Sequence, residues 1–99
     1  MMGKSVDPNQ QAADEARDEA LGVLATATTF KELKDGVEAI YNRRRPRHGH
    51  EAAQILNFLE FRDPTKLVDV ATKDVRAALE RILRADPGEP QATACLELL

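Results

Sequence analysis

Residues 29–41 read Thr29-Phe30-Lys31-Glu32-Leu33-Lys34-Asp35-Gly36-Val37-Glu38-Ala39-Ile40-Tyr41, and this stretch decides the fold class. Thr29 and Glu32 form a capping box: the hydroxyl accepts from the Glu32 backbone N–H while the Glu32 carboxylate reaches back over the start of the turn. Phe30, Leu33, Val37, Ile40 and Tyr41 then fall at offsets 0, 3, 7, 10 and 11, one stripe on a 3.6-residue period, with none of the alternation that marks a strand. The helix is expected to end before Pro46, whose ring pushes Arg45 out of the helical region.

The same logic extends in both directions. Upstream, Asp7-Pro8-Asn9-Gln10 supplies an N-cap carboxylate and a proline whose missing N–H does no harm in a first turn. A helix follows to about Ala27, with Ala13, Ala16, Ala20, Leu24 and Ala27 along one side and Leu21 beside them. Asp14, Glu15, Asp18 and Glu19 are expected to face water. So small a stripe favours close approach to a neighbouring helix, although Gly22 inside it costs about 1 kcal/mol relative to Ala. Residues 1–6 are read as a disordered lead and 7–99 as a single domain.

Downstream, a helix over about His50 to Phe61 places Ala52, Ala53, Ile55, Leu56, Phe58, Leu59 and Phe61 around most of its circumference, a pattern that requires an enclosed position. Asp63-Pro64 repeats the cap-and-proline device. It predicts a fourth helix from Pro64 to Arg84 with Leu67, Ala71, Val75, Ala78, Leu79 and Ile82 on one stripe and a possible break near Thr72. Asp86-Pro87-Gly88-Glu89-Pro90 stops it. Gln91 to Leu99, with Ala92, Cys95, Leu96 and Leu99 at offsets 0, 3, 4 and 7, reads as a short terminal helix. The expected fold is all-α, a compact bundle of four helices plus a short C-terminal helix. Sliding the second helix onto the fourth pairs Leu33 with Val75 and Ile40 with Ile82, but any two amphipathic helices match about as well, so a repeat architecture is not supported.

Composition agrees. The 99 residues include fifteen alanines and no tryptophan, which favours helix over sheet. No apolar run approaches the roughly 18 residues that span a bilayer, no signal peptide opens the chain, and the lone Cys95 has no partner for a disulfide. An intracellular, cytoplasmic location without membrane attachment is expected.

The formal net charge of -3 conceals a sharp local contrast. Residues 1–42 carry -4 and residues 51–99 carry -3, while residues 43–50 carry +4 through Arg43, Arg44, Arg45 and Arg47. Guanidinium groups offer forked donors to phosphate, so a small nucleic-acid-associated regulator using this loop is one reading. Against it stand the acidic flanks, a sequence pI near 5.4 and the shortage of aromatic rings for stacking. The loop equally suits the negative end of the second helix and acidic neighbours, or an acidic protein partner.

Enzymatic signatures are missing. His48, His50 and Glu51 lie too close in sequence for a helical metal site, which wants ligands three or four apart, and no second ligand pair accompanies them. A His-x-x-Lys-Gly phosphotransfer pattern follows neither histidine. Cys95 sits on an apolar stripe, where burial keeps a thiol inert, and no nucleophile elbow or phosphate loop occurs. No metal, cofactor or catalytic residue is expected. What remains is the crowded third helix. Ile55, Phe58, Leu59 and Phe61, with Tyr41 from the helix before it, exceed what one protomer of this size readily hides, so this face is expected to bind another protein or a second copy of the chain, with the arginine loop steering an acidic partner.

Overall fold

The computed structural model describes residues 8–45, 47–67 and 69–99. The expected Asp7 cap and the lead over residues 1–6 lie outside the described residues. Among the described residues five α-helices follow one another: α1 (Pro8–Thr26), α2 (Phe30–Arg44), α3 (His50–Phe61), α4 (Asp69–Ala85) and α5 (Pro90–Leu96), with a 3-10 turn at Pro64–Lys66. No strand occurs among the described residues, so the chain is all-helical.

The capping box at residues 29–32 forms. The Glu32 backbone N–H donates to Thr29 Oγ1 at 3.0 Å, and the Glu32 carboxylate accepts from both the backbone N–H and the hydroxyl of Thr28 at 2.8 Å. Those Thr28 donors hold the Glu32 carboxyl below the ordinary carboxylate range, as hydrogen bonds to the charged form do. One apolar core draws on all five helices, from Leu24 of α1 through Leu33, Val37 and Ile40 of α2, Ile55 and Phe58 of α3, and Leu79 and Ile82 of α4 to Ala92 and Cys95 of α5.

Helices α1 and α2 meet closely, but the residue that permits it is Gly36 rather than the alanine stripe alone. A Cβ on Gly36 would stand 2.8 Å from Val23 Cγ1, whereas one on Gly22 would meet nothing within 4 Å. The α1 C-terminus is closed from a distance in sequence. The Arg81 guanidinium of α4 donates to the Leu24 carbonyl at 2.7 Å and twice to the Ala27 carbonyl at 2.7 and 3.1 Å, satisfying acceptors that a helix end leaves open.

The segment after α3 departs from expectation. Pro64 does not begin a long helix. The Asp63 carboxylate accepts from the Thr65 N–H and hydroxyl at 3.0 and 2.6 Å, closing a single 3-10 turn, and Leu67 takes an extended backbone (φ -77°, ψ 127°) that separates this turn from α4. The interruption falls at Leu67 rather than near Thr72. Helix α5 starts at Pro90 because the Glu89 carboxylate caps the Ala92 N–H at 2.6 Å, and it stops at Leu96, short of the expected Leu99. Arg62 ends α3 in the left-handed region (φ 57°), its N–H donating to the Phe58 carbonyl at 2.7 Å, a conformation that usually selects glycine.

Candidate docking surface

Helix α3 lies against α1, α2 and the 3-10 turn, and this enclosure sorts its apolar residues. Ala52, Ile55, Phe58 and Leu59 face inward and are buried, Phe58 completely. Ile55, Phe58 and Leu59 therefore do not belong to an exposed binding face, contrary to the sequence-based expectation. The physical reason is the number of neighbours: α5 also reaches α3, with Cys95 Sγ 3.9 Å from the Leu59 carbonyl oxygen, so the inner half of the helix is sealed by the chain itself. Phe61 is different. It is 72% exposed, the most exposed large apolar residue among those described.

Phe61 stands at one end of a groove of about 390 Å³ lined also by Tyr41, His50, Ala53, Gln54, Leu56, Asn57 and Glu60. A second depression shares Tyr41, His50 and Ala53 and extends the groove to Arg45 and Gly49. Gly49 builds this corner. A Cβ there would come within 3.1 Å of the Tyr41 ring and 3.2 Å of the Tyr41 carbonyl oxygen, so the absence of a side chain lets the start of α3 settle against the end of α2. The Gln54 side-chain N–H donates to His50 Nε2 at 3.1 Å, and Glu60 is tied to Lys34 at 3.5 Å. Ala53, Leu56 and His50 were not among the residues assigned to the binding face from sequence, because only the orientation of α3 distinguishes its outer from its inner apolar residues.

The four arginines divide into two pairs. Arg44 presents a fork to Glu19 of α1, with Nη2–Oε2 at 2.9 Å and Nε–Oε1 at 3.3 Å, and Arg43 reaches the same carboxylate at 3.0 Å. The Arg44 hydrogen bond, more than the charge of Arg43, holds the Glu19 carboxyl below its ordinary value, against a smaller opposing effect of burial. Glu19 is thus an internal partner and not simply a solvated acid. Arg45 and Arg47 are exposed. Arg45 lies 5.7 Å above the centroid of the Tyr41 ring, within cation–π range, and neither arginine joins an ion pair among the described residues.

Among the described residues no group of three His, Cys, Asp or Glu side chains is placed to hold a metal ion. The Cys95 thiol is fully buried, and burial pushes its pKa up. No described helix is long and apolar enough to cross a membrane. Compared with known proteins, the chain matches no family model, no curated protein and no solved structure.

Proposed function

We propose that the chain is a non-enzymatic protein-interaction module of adaptor or regulatory type, working inside the cell. In this reading the first four helices form a bundle that serves as a rigid scaffold, and a partner chain docks in the groove between the end of α2 and the outer face of α3. The observation that carries it is Phe61, 72% exposed beside Leu56 and Tyr41. A ring left in water contributes nothing to the core of its own protomer, while aromatic anchors dominate binding at interfaces. Arg45 and Arg47, which join no ion pair among the described residues, supply long-range attraction for an acidic partner.

The alternative, nucleic-acid contact through the arginine loop, has weaker support. Two of its four guanidinium groups are engaged by Glu19, and Glu15, one turn before Glu19 on α1 and close enough to act on Arg44, repels a polyanion. A photo-crosslinking amino acid placed at Phe61 tests the docking reading. Irradiation is expected to give discrete protein adducts that do not form from the same group placed at Glu80 on the exposed side of α4. Equal labelling from both positions contradicts it.

A further inference from the structure

The apolar part of the groove accommodates several occupants, and the charges around it discriminate among them. Arg45 lines one end, stacked on Tyr41, and Arg47 follows two residues later in the same loop. Helix α3 begins at this end without any side-chain cap on its N-terminal N–H groups, which adds the positive end of the helix dipole to the two guanidinium charges. Glu51 in the first turn offsets part of this. Among the described residues the single carboxylate lining the groove, Glu60, lies at the far end and is already tied to Lys34.

From this charge pattern we infer that the occupant is an acidic amphipathic helix of another protein, laid along α3 with its apolar side chains around Leu56 and Phe61 and its carboxylates over Arg45 and Arg47. The inference rests on the docking reading above. Helix α3 has twelve residues, about 18 Å, so the groove takes about three turns of a partner helix, in the manner of helix-in-groove recognition. A second copy of the chain fits less well. Antiparallel packing of two α3 helices brings Arg45 and Arg47 toward the end that carries Lys34, Arg62 and the Lys34-paired Glu60, a net positive charge, and parallel packing brings them against themselves. Like charges oppose one another either way, at a cost in affinity. An extended polyanion finds no continuous basic track here, because Arg43 and Arg44 are engaged by Glu19.

The test is a selection from a displayed library of random sixteen-residue peptides on the full chain, followed by affinity measurements on Phe61→Ser and on the double variant Arg45→Gln, Arg47→Gln. Enriched peptides are expected to carry apolar residues at three- and four-residue spacing with Asp or Glu gathered toward one end. Their affinity should fall by about tenfold or more on Phe61→Ser, as for an interface anchor, and by about three- to tenfold on the arginine double variant, with a loss at high salt that the variant abolishes. Peptides that need Phe61 but carry no acidic residues and ignore the arginine variant overturn the inferred partner while leaving docking intact. Peptides indifferent to Phe61, or no enrichment, overturn both. A Phe61-dependent dimer of the free chain in light scattering overturns the inference in favour of self-association.

Discussion

Two glycines in adjacent helices have opposite roles, and the difference lies in what a methyl group would meet. At Gly22 the space is open, so Gly22→Ala is expected to stabilise the protein by about 1 kcal/mol through helix propensity. At Gly36 the same change drives a Cβ to 2.8 Å from Val23 Cγ1, and a β-branched side chain has little rotamer freedom with which to yield. Overpacking of about 1–3 kcal/mol then outweighs the propensity gain, and Gly36→Ala should lower the urea midpoint while Gly22→Ala raises it. The sequence flagged Gly22 as an interruption and passed over Gly36, because a helical period says which side a residue is on but not how near the neighbouring backbone comes. Cys95 was legible: its place on an apolar stripe at three- and four-residue spacing is the place it occupies, sealed from water. Its thiol should react with a soluble disulfide reagent at least about a thousandfold more slowly in the native protein than in urea, since access requires opening of the core. Rapid native labelling would show that α5 detaches independently.

Among the helices, the boundaries set by local chemistry were readable and those set by distant contacts were not. Helices α2 and α3 have the expected starts, since Thr29–Glu32 is a self-contained cap and the apolar run after Gly49 begins abruptly. The failure at Pro64 comes from Asp63, whose carboxylate closes a tight turn on Thr65 where a helical cap was expected. The close of α1 depends on Arg81, 54 residues beyond the carbonyl it binds at Ala27, and no local signal marks it. Arg81→Ala should therefore destabilise the fold by about 1.5–3 kcal/mol, the range for hydrogen bonds from a charged donor, measured by urea unfolding, and loss of amide protection should be greatest around residues 24–27. Arg81→Lys should recover only part, because an ammonium lacks the fork. The clamp of Arg43 and Arg44 on Glu19 makes a pH-dependent contribution of known sign. The Glu19 pKa is lowered in the folded state, so its stabilisation is present above the ordinary value of 4.5 and fades as pH falls through the lower folded value. Glu19→Gln is expected to lower the melting temperature at pH 7 and to make the acid limb below pH 4.5 shallower; an unchanged acid limb would place the pH dependence elsewhere.

For the chain taken together, the sequence indicated an excess of apolar residues around the third helix, and the structure divides that excess unequally. Ile55, Phe58 and Leu59 are accommodated inside because α1, α2, the 3-10 turn and α5 surround α3 on its inner side, a closure that depends on the whole topology and leaves no trace in helical periodicity. Phe61 alone among the three phenylalanines stays outside, next to a groove with a basic end. Its exposure is the physical basis for reading the α2–α3 face as a docking surface. The most direct test is urea denaturation of Phe61→Ser beside Phe58→Ala in the isolated protein. Loss of the fully buried Phe58 ring should cost about 3–5 kcal/mol, whereas Phe61→Ser should change stability by no more than about 0.5 kcal/mol. A loss at Phe61 comparable to that at Phe58 would mean that the ring belongs to the core, and would contradict the assignment of this face to a partner.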